Sequence, residues 1–193
     1  FDGSYIWISI LTDQKKIMKL DASGDSLIVL SSFNAPPSQG GTIRDITWDG
    51  SYLWAINAGS TSGTGMRPKL YKLDTKGNIQ NGTDGWDLFT AEDPRGLTWV
   101  PSLAYTYGYG PDSGIYYTDI ILDKIYHVNM KGIIDTGIAI PAPPRGASYN
   151  SPVGLTFDGR SFWLTNSSAS QVAEHIYRLT LSQGKVKMED RFD

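Results

Sequence analysis

The chain has 193 residues, enough to bury a substantial core, and its 40% hydrophobic and 19% charged residues are the balance of a globular protein. A formal net charge of −3 with scattered Lys and Arg gives no electrostatic reason to expect nucleic acid or an anionic membrane as partner. The absence of cysteine excludes disulfides, thiolate metal sites and cysteine nucleophiles together.

No apolar run approaches the roughly 20 residues of a membrane-spanning helix, so no membrane span is expected. No signal peptide is visible and Phe1 is not an initiator methionine, so the chain is expected to be processed, trimmed or a part of a longer one. A cysteine-free chain of this kind is compatible with a secreted or extracytoplasmic bacterial or archaeal protein, and that is the expected location. Aromatic residues at 12%, set between glycine-rich turns, favour a sheet protein.

In chain order, the first element begins at Phe1-Asp2-Gly3-Ser4-Tyr5-Ile6-Trp7. It returns as Trp48-Asp49-Gly50-Ser51-Tyr52-Leu53-Trp54 and as Phe157-Asp158-Gly159-Arg160-Ser161-Phe162-Trp163, with a divergent copy between them at Ile115-Tyr116-Tyr117-Thr118-Asp119. A second element follows each: Ile17–Asp21, Leu70–Asp74, Ile125–Asn129 and Ile176–Thr180, closed by Gly24, Gly77, Gly132 and Gly184. A third precedes the first in three copies: Ile46-Thr47-Trp48, Leu97-Thr98-Trp99 and Leu155-Thr156-Phe157. An outer element is looser, over Ser26–Phe33, Gly85–Phe89, Ile133–Ile140 and Lys185–Phe192.

These fragments alternate apolar and polar residues with period two, as half-buried strands do, and Asp-Gly is a strong hairpin turn. Four antiparallel strands per repeat of roughly 40–50 residues is the arithmetic of a β-propeller blade. The chain therefore reads as all-β, with four blade repeats at about 1–40, 41–93, 94–151 and 152–193, treated as one propeller domain or segment. The first copy lacks the inner strand that Leu97–Trp99 supplies in the third. Open strand edges invite pairing. Hence a piece of a larger propeller is expected, with further blades or a second chain pairing at Tyr5–Ile10; a closed four-bladed ring is the alternative.

The run Pro152–Gly159, followed by Phe162–Asn166 and Ile176–Leu179, resembles the repeats of NHL-type, streptogramin-lyase-like and gluconolactonase-like propellers. Trp48–Asn57 and Leu70–Asp74 carry the same resemblance. It implies the blade fold, and those families include lyases, lactonases and pure interaction modules. The gluconolactonase-like members hold an axial divalent cation, and the resemblance places Asn57, Asp119 and Asn166 where such a calcium or magnesium site would sit. Ile10 in the first copy departs from that pattern, and no axial glutamate is recognisable. The alternative is that these side chains shape the loop after each second strand through local backbone bonds.

Propeller convention gathers the long loops at one end of the sheets: Asn34–Arg44, Asn57–Lys69, Thr90–Arg95, Pro141–Val153 and Asn166–Glu174. Arg44 and Arg95 align at the entry to the inner strand, where guanidiniums bind a carboxylate or phosphate, or pair with an acid such as Asp45 or Asp93. Tyr105, Tyr107 and Tyr109, in an insertion of the third copy, are candidates for stacking on a glycan or for packing on their own blade. His127 and His175 lie on or beside third strands without a motif partner, and are expected at the surface or between blades. Trp7, Trp54 and Trp163 recur at one blade position and are expected as core. Asn81-Gly82-Thr83 and Asn166-Ser167-Ser168 match the glycosylation triplet. The pattern favours a non-enzymatic module, secreted or at the cell surface, that binds a protein or glycan. A metal-dependent lactonase or lyase and a structural domain of a larger assembly are the rivals.

Overall fold

The hairpin ends are built by one repeated side-chain arrangement. In the computed structural model, Asp49 Oδ1 accepts the backbone N–H groups of Ser51 and Tyr52, both at 2.8 Å, while Oδ2 accepts the indole N–H of Trp54 at 2.7 Å. Asp2 does the same with Ser4, Tyr5 and Trp7, and Asp158 with Arg160, Ser161 and Trp163. The glycine after each aspartate has φ of +98°, +99° or +96°, the left-handed conformation that makes glycine the residue of choice there. The structure describes residues 1–11, 15–36, 41–59, 65–102, 111–135, 137–140, 151–167, 175–182 and 185–192.

Fifteen strands form four antiparallel sheets among these residues, with no α-helix. They fall into two compact units, Phe1–Thr90 and Ala91–Asp193. The first unit holds a three-stranded blade, β1 (Ile6–Ser9), β2 (Lys16–Asp21) and β3 (Ile28–Asn34), in that order. It also holds a four-stranded one, β4 (Ile43–Trp48), β5 (Leu53–Asn57), β6 (Lys69–Leu73) and β7 (Trp86–Asp87). The second unit pairs β8 (Pro94–Val100), β9 (Gly114–Asp119), β10 (Lys124–Val128) and β11 (Ile138–Ala139) as the third blade. Its fourth blade is β12 (Pro152–Phe157), β13 (Phe162–Asn166), β14 (Ile176–Ser182) and β15 (Lys185–Phe192). The chain is thus four consecutive propeller blades, with β1 as the edge of the first. No helix among the described residues is long and apolar enough to cross a membrane.

Outer strands are shorter than the sequence suggests in the middle blades. Expected strands at Gly85–Phe89 and Ile133–Ile140 contract to the two-residue β7 and β11. Side chains replace the missing ladder in the second blade. The Asn81 amide donates to the Leu70 carbonyl and its Oδ1 accepts the Lys72 N–H, while Lys69 bridges Asp84 and Asp87 at 3.1 and 2.7 Å. Burial of Asn81 in that role leaves it unavailable as a glycan acceptor.

Register assigns every strand residue to one of two blade faces. In the first unit, Trp7 and Ile17, with Phe33 beside them, pack against Ile43, Leu53, Ala55, Tyr71 and Leu73 of the next blade. In the second, Tyr116 and Ile125 pack against Leu155, Phe162, Leu164, Tyr177 and Leu179. Both interfaces use the same positions: the Trp7-type face of one blade meets the opposite face of the blade that follows. At the same site within the second unit, Gly96 lets β8 and β12 approach. A Cβ there would lie 2.5 Å from the Leu155 nitrogen and 2.7 Å from the Gly154 carbonyl carbon.

Trp163 corrects one expectation. It occupies the register position of Trp7 and Trp54 but is only half-buried, stacked on Phe192 at 5.7 Å between ring centroids. Its face of the fourth blade is the one opposite the Leu155–Leu164 core, and the third blade covers only that core face.

Two outcomes follow. Trp54→Ala should cost about 3–5 kcal/mol, the range for truncating a fully buried aromatic, and Trp163→Ala distinctly less; urea midpoints would show the order, and equal losses would contradict the burial difference. Burial raises the carboxyls of Asp2 and Asp158, but hydrogen bonds from the paired indole and from backbone N–H groups outweigh it and hold both below the usual range. The unfolded chain then binds protons first, so this stabilisation is complete above the unfolded value of about 3.9 and is lost as pH falls through the lower folded values. Stability measured downward from pH 5 should fall less steeply in Asp158→Asn than in the native chain.

Candidate functional site

Each inner strand of the last three blades enters its sheet through a β-bulge, between Ile43 and Asp45, Pro94 and Leu97, and Pro152 and Gly154. A bulge breaks the ladder and re-aims the side chains beside it, which is why such irregularities accompany binding sites. In the second unit the freed N–H groups of Gly96 and Gly154 donate to the hydroxyls of Thr118 and Thr165 across the sheet, at 2.9 and 3.1 Å. This repeated Thr–Gly bond fixes the entry point from which Arg95 projects.

Arg95 pairs with Asp93 two residues earlier, Nη2 to Oδ2 at 2.5 Å, with 24% and 15% of the two side chains exposed. Arg95 Nε and Asp93 Oδ1 are buried, with no hydrogen-bond partner among the described residues. The loop beneath is held by Asp119. That fully buried carboxylate accepts the N–H groups of Glu92 and Asp93 on Oδ2 and those of Ile121 and Leu122 on Oδ1. Asp119 therefore positions Asp93, and Asp93 positions Arg95. The same buried charge, after burial itself and ahead of Glu92, pushes the Tyr126 phenol up. Asp119 as the organiser of this loop was weakly signalled in the sequence, because its four partners are backbone groups that any residue supplies.

The other candidates are dispersed. Arg44 is half-buried at the bulge of β4. Asn57 is buried, its Oδ1 accepting the Gly59 N–H at 2.6 Å while its Nδ2 has no partner among the described residues. Asn166 Oδ1 accepts the His175 N–H at 2.7 Å. Asn57 and Arg44 belong to the first unit, and Asp119, Asn166 and Arg95 to the second. Tyr105, Tyr107 and Tyr109 lie outside the described residues. Their segment leaves β8 and re-enters β9 at the paired residues Val100 and Gly114, the opposite end of the sheet from Arg95.

The oxygens of Asn57, Asp119 and Asn166 are engaged by backbone N–H groups, as loop shaping requires. A calcium or magnesium ion takes six or more oxygens, and both oxygens of Asp119 already accept two amide N–H groups each. His127 is buried in the third blade, stacked on Tyr116 at 4.7 Å, with Nδ1 on the Asp135 carboxylate at 2.5 Å and Nε2 on the Ser113 carbonyl at 3.1 Å. Both ring nitrogens are thereby committed to the blade.

No family model matches the chain, and no curated protein matches it. Among solved structures, a catalytically inactive virginiamycin B lyase from Staphylococcus aureus, with quinupristin, is 20% identical with a TM-score of 0.57 over 95% of this chain and 51% of that one. A streptogramin B lyase is 21% identical at TM-score 0.56, over 97% of this chain and 51% of that one. A 6-phosphogluconolactonase candidate from Bacteroides fragilis is 14% identical at 0.53, over 100% and 55%. The chain spans about half the length of these structures. At such identities the likeness is one of fold, and the fold it carries is the β-propeller that the repeats and the sheets already describe.

Proposed function

We propose that the chain is a non-enzymatic binding module, secreted or displayed at the cell surface, that takes a protein or glycan at the end of its sheets where the inner strands begin. The supporting observation is the Arg95–Asp93 ion pair, partly exposed at the bulged entry of β8. A guanidinium beside a carboxylate offers donors and acceptors to the hydroxyls of a sugar or of a Ser, Thr or Tyr side chain. The buried Asp119, which accepts the Asp93 N–H, holds the pair in place before any ligand arrives, which lowers the ordering cost of binding.

The test is retention of labelled chain on a glycan array and on an array of hydroxyl-rich peptides. Arg95→Ala should weaken any hit roughly 10- to 100-fold, the equivalent of losing a charged hydrogen bond worth about 1.5–3 kcal/mol, with the melting temperature little changed. Failure to bind either array, or an unchanged affinity in the variant, rejects the reading.

A metal-dependent lyase or lactonase is the competing class, since solved structures of similar fold include a lyase and a 6-phosphogluconolactonase candidate. Calcium and magnesium titrations separate the two. The binding module should show no metal-dependent rise in melting temperature; a rise abolished by Asp119→Asn would replace it with the metal reading.

A further inference from the structure

The loop end of the second blade, where β5 stops at Asn57 and β6 starts at its register partner Lys69, carries an aromatic side chain that the core does not use. Phe89 is 69% exposed, although the residue before it, Leu88, is fully buried. Arg67 lies over the Phe89 ring, with Cζ 5.2 Å from the centroid, and is itself exposed. Where Lys19 meets Trp7 and Lys72 meets Trp54, the ring is buried and the cation covers core. Here ring and cation both stand in solvent.

The backbone under both residues is held without help from their side chains. The Leu88 N–H donates to the Pro68 carbonyl at 2.9 Å, which sets Phe89 beside Arg67. On the other side, Gly59 at φ +71° packs closely on Met66–Pro68. A Cβ there would collide with the Met66 carbonyl oxygen and lie 2.9 Å from the Arg67 carbonyl carbon. Asn57 Oδ1 accepts the Gly59 N–H and fixes that neck. Asp84 and Asp87 are both bridged by Lys69, and no carboxylate pairs with Arg67 among the described residues.

A guanidinium stacked on an arene uses its flat face and keeps its in-plane N–H donors for a carboxylate. We propose that Arg67 and Phe89 form a binding site for a carboxylate-bearing sugar, a hexuronate unit of an acidic glycan. The carboxylate takes the guanidinium edge bidentately, and the C–H face of the pyranose lies against the exposed part of the Phe89 ring, whose π face is negative. A pyranose holds its carboxylate rigidly beside that C–H face, so it meets an open two-residue surface at small ordering cost. An acidic peptide would have to immobilise a flexible backbone for the same two contacts. The site is built from the second blade alone and is independent of the reading at Arg95.

Titration of the chain with a galacturonate trisaccharide, followed by calorimetry and amide shifts, tests the assignment. Binding is expected, weakening as salt rises because the pair is exposed. A neutral galactose trisaccharide should bind roughly 10-fold more weakly or worse. Arg67→Gln and Phe89→Ala should each lower uronate affinity about 10-fold, with the melting temperature unchanged because both side chains stand outside the core. Arg67→Lys, which keeps the charge but not the fork, should retain only part of the affinity. Arg95→Ala should leave uronate binding as it is. The inference is overturned if no uronate binding is detected, if the neutral sugar binds equally well, or if affinity survives both Arg67→Gln and Phe89→Ala. Loss in Arg95→Ala alone would assign the acidic sugar to the third blade, overturning this site while supporting the reading at Arg95. An Asp- and Glu-rich peptide bound in preference to the uronate would likewise overturn the inference.

Discussion

The blade depends on the carboxylate that holds its tryptophan. Asp49 uses one oxygen to close the hairpin and the other to fix the Trp54 indole, so the turn and the largest core side chain are set by a single residue. An indole N–H buried without an acceptor costs on the order of 1–3 kcal/mol, and the aspartate removes that cost while standing outside the core. With the ring orientation fixed, the cation across the ladder falls into place: Lys72 Nζ lies 4.1 Å from the Tyr52 ring centroid and 5.5 Å from that of Trp54, and Lys19 stands likewise over Tyr5 and Trp7. The result is a layered stack of turn, indole and cation in the first two blades.

The third blade shows what the layer needs when that motif is lost. Tyr116 replaces the tryptophan, and its hydroxyl donates to the Asp112 carbonyl instead of reaching a carboxylate. Burial, then Asp112 and Asp135, push its phenol well up, so it stays neutral and keeps donating. His127 stands where Lys19, Lys72 and Arg178 stand in the other blades, opposite the aromatic. Its nitrogens face the Asp135 carboxylate and the Ser113 carbonyl. The aromatic position and the polar residue opposite it recur in the third blade even though neither residue is the same.

Legibility followed from these roles. Period-two alternation places the second and third strands of each blade within about two residues, while the inner strands begin three residues before Ile46, Leu97 and Leu155, on the far side of their bulges. The outer strands were less legible: β7 shortens where Asn81 and Lys69 take over the edge by side-chain bonds that no alternation encodes, and β11 is equally short. Trp163 could not be told from Trp54 by sequence, since its exposure depends on which surface meets its blade rather than on its own motif. At the candidate site, Arg95 was visible as an aligned arginine. Asp119 was visible only as a strand-end acid, and its hold on four backbone amides is a matter of loop shape.

The two ends of each sheet are built by opposite means. At the hairpin end of three blades, aspartate side chains and left-handed glycines satisfy the turn locally, over spans of two to five residues. At the entry end of the third blade, Asp119 reaches back to Glu92 and Asp93, more than twenty residues earlier in the chain, and the ladder is broken by a bulge. Local closure tolerates change in the rest of the sequence, whereas long-range closure ties loop conformation to the strands beneath it. A partly exposed ion pair such as Arg95 and Asp93 keeps one geometry only where the backbone around it is held independently of the pair, and the entry end is where the buried Asp119 supplies that support.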